Sequence, residues 1–386
     1  MANKIIVGTI RNLSNTPTDT LRGGGASTVE FSDGQTAMVG PDASGGNAYG
    51  QVLADLQTIG APAYVEADSE TNAIRVLLIP LEGEVSGLKR LPDGDVEVEL
   101  EPSSAKHFLR ASNLSYGPFI ETLQSAQAKA TPVLVTETPD SHEIIDVRTA
   151  PRGDQEPNPP QPATPSVAPA VVEELFLDLT AVTPHRANEL FDRAVAPAIV
   201  DALLLGLPPV TQLEAHELFV RANAQTCVPA AIYPPCIPFL YPDDGCWARA
   251  QEMCNIFLQL GVTPGKIWNY GNLQVNTRNS PQCEVSWVYH VAPILHVTNG
   301  GAIGIRVIDP SLFRAPVPLS EWIHKQGDPT ATQAASNASV FYLSPKGKSQ
   351  FDPTGSKTSK ALTLYRLQFK LRCASSAGPP PYIGCP

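Results

Sequence analysis

Cysteine is missing from the first 226 residues of this 386-residue chain; all seven (Cys227, Cys236, Cys246, Cys254, Cys283, Cys373, Cys385) fall after them. Disulfide chemistry is therefore confined to the C-terminal part. An odd number fits one free reactive thiol beside three bridges, which implies an oxidising compartment. No C-x-x-C pair and no histidine spaced as its ligand partner is present, which argues against zinc; no metal or organic cofactor is expected. No run of about 18 or more apolar residues occurs, so no membrane span is expected. The N-terminal MANKIIVGTIRN has no long apolar core of the secretion-signal kind; such a signal was removed or never existed. Net positive charge is lacking too, at -11 overall, and no nucleic-acid partner is expected.

The length accommodates two or three domains, and 42% hydrophobic residues is ordinary for globular protein. Charge is divided unevenly: residues 1–225 carry -16 and residues 226–386 carry +5. The halves should attract, so an acidic N-terminal module docked on a basic C-terminal one is one reading and a merely solvated surface the other.

Residues 1–149 read as a mostly-β domain. Lys4–Ile10, Ala73–Ile79, Val96–Leu100 and Pro132–Thr136 are rich in β-branched and aliphatic residues, while Val52–Ile59 and Phe119–Ala128 read as short helices. His107 and His142 read as isolated surface histidines. Residues 150–170, with seven prolines and little apolar bulk, read as an extended, protease-sensitive linker. Residues 171–225 read as a helical segment (Val171–Leu179, Ala187–Leu205, Gln212–Ala224), the last opened by a capping box at Thr211 and Glu214. Residues 226–386 then carry a loop, a helix and strands at Val285–Val297 and Ala302–Ile308, a helical turn at Leu319–His324, and a last strand at Ala361–Leu371. The fold class is α+β, with a helix packed on an antiparallel sheet.

The chemistry concentrates in Tyr241–Leu260. Asp243 or Asp244 is positioned to cap, Gly245 permits a tight turn, and Cys246 falls on the first turn of a helix, where free N–H groups and the helix dipole favour negative charge on sulfur. Ala250, Met253, Cys254, Phe257 and Leu260 form its apolar stripe, and Gly261 and Pro264 end it. His290 lies in the next strand and Asp309 at the end of the one after, an order that suits nucleophile, base and orienting acid, with the Cys246 N–H as an oxyanion donor. Two readings stay open on spacing alone. Cys246 is a nucleophile or one more buried or bridged cysteine; His290 is the base, or His296 or His324 takes its place. Trp247, Trp287 and Tyr289 are candidate walls of a substrate slot or plain packing residues.

Five stretches, in order, resemble the bacterial protein glutaminases, which deamidate protein-bound glutamine and share a transglutaminase-like core. They are the loop between Cys227 and Cys236, Phe239-x-Tyr-Pro-x-Asp-Gly-Cys-x-Ala-Arg-Ala250, Tyr270-Gly-Asn-Leu273, Trp287-x-Tyr-His-Val-Ala292 and Ile308-Asp-Pro-Ser-Leu-Phe313. The resemblance covers roughly residues 212–386. It implies a thiol hydrolase with Cys246 as nucleophile, His290 as base and Asp309 as third member, acting on protein or peptide substrates with exposed glutamine and needing no cofactor. Trp247 stands where the family often has tyrosine, and Cys254 is outside its pattern. The implied bridges are Cys227–Cys236 and Cys373–Cys385, with Cys254–Cys283 as a third pair. The family's inhibitory pro-region suggests that residues 1–149 cover the site, and targeting or partner binding is the competing role for them. A transglutaminase-like acyltransferase, a cysteine protease and a non-enzymatic binding module remain as alternatives. Export from a bacterium, to the medium or periplasm, is the expected localisation.

Overall fold

A computed structural model describes residues 3–14, 27–40, 46–150, 207–299 and 302–385. Apart from Ala150, the expected linker at 150–170 lies outside these residues, as do the expected helices at 171–179 and 187–205.

The N-terminal region runs β1 (Asn3–Ser14), β2 (Ser27–Phe31), β3 (Thr36–Val39), α1 (Gly46–Ile59), β4 (Pro62–Asp68), β5 (Ile74–Leu78), β6 (Leu81–Arg90), β7 (Val96–Glu101), β8 (His107–Leu109), α2 (Tyr116–Lys129), β9 (Val133–Glu137) and β10 (Ile144–Thr149). It builds two antiparallel sheets, ordered β3-β2-β1-β4-β5 and β10-β9-β6-β7-β8. Each is covered by one helix from the N-terminal region. Val52, Leu53 and Leu56 of α1 pack on Ile6, Phe31 and Val65, and Leu123 and Ala126 of α2 pack on Val98 and Val133. Alternate strand residues (Val96, Val98 and Leu100; Val133 and Val135) face the helix across the core, and this alternation produces the two-layer arrangement.

The C-terminal region runs β11 (Pro209–Thr211), α3 (Gln212–Asn223), α4 (Cys246–Gln259), β12 (Gly265–Asn276), β13 (Glu284–Asn299), β14 (Ala302–Val307), β15 (Val317–Pro318), α5 (Leu319–Lys325), β16 (Thr332–Asn337), β17 (Val340–Leu343), β18 (Ser349–Phe351) and α6 (Ser356–Ala374). Thr211 and Glu214 form the expected capping box. The central sheet is ordered β15-β14-β13-β12-β16, with short β11 parallel to β13. Strand β13 pairs with β12 over residues 284–294 and with β14 only from Ile294 onward. Its other edge at Ser286–Val288 is thus open to a different partner, and Pro293 stands just before the change of neighbour. Helix α4 lays Ala250, Met253 and Phe257 in the same apolar cluster as Trp268, Tyr289 and Val291 of this sheet.

Two expectations are corrected here. Ala361–Leu371 is not a strand but the middle of α6. Its apolar residues serve two faces: Leu362, Tyr365 and Phe369 join the C-terminal core, while Leu367, with Leu364 and Leu371, joins the N-terminal core. A helix buried on two sides loses the single stripe that marks helices in sequence, and its odd-numbered apolar residues imitate a strand. The bridges are Cys227–Cys236, as expected, and Cys283–Cys385. Cys254 and Cys373 are free like Cys246, because the C-terminal tail returns to Cys283 rather than to Cys373.

Because Leu367 is buried against the N-terminal core, Leu367→Ala is expected to lower the stability of the intact chain by about 2–5 kcal/mol. Denaturant titration of wild type and variant checks this, and an unchanged midpoint contradicts the shared-helix packing.

Candidate active site

Cys246 is the first residue of α4, and the turn before it is built with unusual care. Gly245 is the N-cap at φ 79°, and a Cβ there would lie 2.4 Å from the Tyr365 ring, so only glycine fits. No side chain caps the helix, contrary to the expected role of Asp243 or Asp244. Both carboxylates are spent elsewhere. Asp243 takes two hydrogen bonds from Arg372 (2.6 and 3.1 Å), and both partners are buried. Asp244 accepts from Gly245 N (2.8 Å) and Tyr365 Oη (2.7 Å), and also from Ser103 and Ser104 of the N-terminal region. Arg249 donates to the carbonyls of Tyr241 and Asp244, and Trp287 Nε1 donates to those of Pro242 and Asp243. The turn is pinned from α4, α6 and β13 at once, which fixes where the Cys246 sulfur sits.

His290 and Asp309 meet across β13 and the end of β14, Nε2 to Oδ2 at 2.7 Å. Asp309 Oδ2 also accepts from Trp322 Nε1 (2.9 Å) and Oδ1 from Ser311 N (3.1 Å). The imidazole lies between two indoles, Trp287 at 4.5 Å and Trp322 at 5.4 Å. Burial pulls the His290 imidazole down, but the Asp309 charge and hydrogen bond outweigh it and hold it up at about 9, with Cys246 adding to the rise. Burial likewise pushes Asp309 up, and the neighbouring imidazole, then Trp322, bring it below the usual carboxylate range. His290 Nδ1, the nitrogen not used by Asp309, makes no hydrogen bond of normal geometry among the described residues. It is therefore the one available to sulfur. His296 bonds instead to Leu207 O.

Of the candidate substrate-contacting aromatics, Trp247 lines a cavity of about 450 Å³ and Tyr289 a second of about 400 Å³. Trp287 lines neither; it packs under His290 and holds the turn. Strict alternation along the strand puts Trp287 and His290 on opposite faces, yet their rings stack at 4.5 Å.

A strand from the N-terminal region crosses this site. Val288 N donates to Ser104 O (2.9 Å) and Lys106 N to Ser286 O (3.4 Å), with Ala105 opposite Trp287, so residues 104–106 occupy the open edge of β13. Tyr289 Oη donates to Pro102 O (2.5 Å). Glu101–Ser103 borders both cavities or one of them, and the two cavities flank this segment.

His107 and His142 are not isolated surface residues. His107 is fully buried, with Nε2 2.9 Å from Ser103 Oγ and Nδ1 on Glu137; His142 Nδ1 is 3.0 Å from the same carboxylate, and its Nε2 lies 3.9 Å from Asp243. Sequence reasoning missed the group because its members are brought together by β8, β9 and the turn before β10, not by spacing. Their metal-capable atoms lie within 4.8 Å of one another, but they already satisfy each other by hydrogen bonds, and we read them as a bridge to the Asp243 turn. Burial pulls His142 down, yet Glu137 holds it up at about 9.

Residues 215–326 match the family described as Glutaminase. The chain is similar to a crystal structure of pro-protein-glutaminase at 25% identity, with 80% of this chain and 99% of that one covered and a TM-score of 0.50. It is also similar to a crystal structure of protein-glutaminase (31% identity, 47% and 97% covered, TM-score 0.36). The NMR structure of protein-glutaminase from Chryseobacterium proteolyticum is a further similar structure (33% identity, 38% and 82% covered, TM-score 0.34). No curated protein matches significantly.

An imidazole raised from about 6.5 to about 9 by folding contributes stability that is complete below about pH 6.5 and is lost as pH rises through about 9. The stability gap between wild type and His142→Gln is therefore expected to be widest near pH 6 and to close above about pH 9. Urea midpoints across this range check it; a gap independent of pH contradicts it.

Proposed function

Because this chain belongs to the protein-glutaminase family, we propose that it is a proenzyme whose C-terminal part hydrolyses the side-chain amide of protein-bound glutamine. Cys246 sulfur attacks the γ-carboxamide carbon, and the charge that develops on oxygen meets the N–H groups at the uncapped start of α4. His290 passes its proton to the departing nitrogen, which leaves as ammonia, and an acyl thioester remains on Cys246. Water, deprotonated by His290, attacks the thioester carbon. Glutamate leaves, and the thiol is restored. Asp309 holds the imidazole in the tautomer and orientation that both steps require. The observation that carries this reading is the His290–Asp309 pair at 2.7 Å with its remaining ring nitrogen free, beside a cysteine at a helix start.

We assign residues 1–149 as the inhibitory pro-domain, 150–170 as the linker, 171–225 as the segment leading in, and 226–386 as the catalytic domain. The segment 102–106 on the β13 edge supports the inhibitory role, since it takes the place of an incoming chain. Docking is supported by the hydrogen bonds of Ser103 and Ser104 to Asp244 and by Leu367 in the N-terminal core. Trp247 and Tyr289 form walls of the cleft. Two disulfides support export to an oxidising compartment, the medium or periplasm of a bacterium.

With an unfolded glutamine-containing protein, the chain cut within residues 151–170 is expected to release ammonia without forming new peptide ends, and the intact chain to release at least about 10-fold less. Cys246→Ala is expected to abolish release from the cut chain. Incorporation of an added amine in preference to hydrolysis, or new peptide ends, contradicts the deamidase reading; equal rates from cut and intact chains contradict inhibition.

A further inference from the structure

We propose that Asp244 is a specificity-determining residue, accepting a main-chain N–H of the substrate strand beside Cys246; this rests on the deamidase reading above. Asp244 is 2% exposed, and its carboxylate accepts five hydrogen bonds from the described residues. Three come from the N-terminal region: Ser103 Oγ to Oδ2 at 2.7 Å, Ser104 N to Oδ1 at 2.7 Å and Ser104 Oγ to Oδ1 at 2.9 Å. Among the described residues, only Gly245 N and Tyr365 Oη of its donors belong to the C-terminal part. When the covering strand leaves, each carboxylate oxygen loses donors and turns open lone pairs to the vacated cleft. A buried acceptor without donors is costly, and a carboxylate has no proton of its own to offer.

The adjacent Asp243 is in a different position. Its donors come from Arg372 of α6, within the C-terminal part, so both its oxygens stay occupied when the strand departs. Partner origin, not proximity, separates the two aspartates.

What replaces the strand is constrained by the sheet. The covering segment holds β13 through main-chain bonds, Val288 N to Ser104 O and Lys106 N to Ser286 O, which any extended polypeptide can reproduce. A chain added to this edge in the same register delivers one main-chain N–H to Asp244 Oδ1. The substrate class follows. It is a locally extended chain with a free N–H at that position, which excludes proline there. Hydroxyl or amide donors at this and the preceding residue are favoured, as Ser103 and Ser104 show. Aspartate or glutamate beside the glutamine meets a carboxylate that cannot donate and repels its charge.

The test uses the full-length chain cut within residues 151–170 and a glutamine peptide N-methylated in turn at each main-chain nitrogen within two residues of the glutamine, with ammonia release as readout. Wild type is expected to lose roughly 10- to 100-fold in kcat/KM at one position, as for a lost hydrogen bond to a charged group. In Asp244→Asn and Asp244→Ala the loss at that position is expected to fall below about 3-fold while losses elsewhere persist; this ratio is internal to each variant and is unaffected by a general loss of activity. The same methylation pattern in wild type and variants overturns the proposal. If both variants are inactive, wild type alone decides: a peptide with aspartate beside glutamine is expected to be a poorer substrate than its asparagine twin by a margin that shrinks with added salt, and equal rates overturn the proposal. Failure of the unmethylated peptide to release ammonia from wild type overturns the deamidase reading instead.

Discussion

The structure depends on burying two adjacent carboxylates in the turn that delivers Cys246. Uncompensated, Asp243 and Asp244 would each carry a heavy desolvation penalty. The fold answers Asp243 with Arg372 from α6, which also donates to Pro139 O in the N-terminal region. It answers Asp244 with Tyr365 from the same helix and with Ser103 and Ser104 from the covering strand. Helix α6 thereby does three things at once: it neutralises the turn, it supplies the ring against which only Gly245 fits, and it lends Leu367 to the N-terminal core. The position of the sulfur follows from these demands.

On the function proposed above, inhibition and recognition would use one surface. The edge of β13 at Ser286–Val288 lacks a strand from its own sheet, and unpaired edge groups attract any extended chain. In the described structure residues 104–106 fill that edge, with Pro102 on Tyr289 and Ser104 on Asp244. The histidines 107 and 142, joined through Glu137, extend the same contact to Asp243. These buried bridges do not follow the charge imbalance between the halves of the chain: the net-positive C-terminal part supplies the carboxylates and the net-negative N-terminal region the donors.

Much of the site could be read from sequence because its chemistry is tied to local signals. The start of α4 is announced by Asp-Gly before an apolar stripe, and His290 and Asp309 sit in or just after aliphatic runs that do form strands. Chain order does not reveal what arrives from a distance. Ser103, Ser104, Arg372 and Trp322 act on the site from 13 to 141 residues away from their partners, and no local pattern marks them. Helix α6 does not show its helical period in sequence for a related reason, since it is buried on two faces. The Cys283–Cys385 pairing depends on where the tail returns, with Tyr382 N on Arg278 O beside it, which spacing alone does not determine.

The central claim is that the Cys246 sulfur carries the acyl group between loss of ammonia and entry of water. Rapid acid quenching of the cut chain during turnover, followed by intact-mass and peptide mapping, tests it most directly. The account predicts a transient species heavier than the protein by the substrate less ammonia, mapped to Cys246. Ammonia release at an undiminished rate with that adduct on another residue would contradict it.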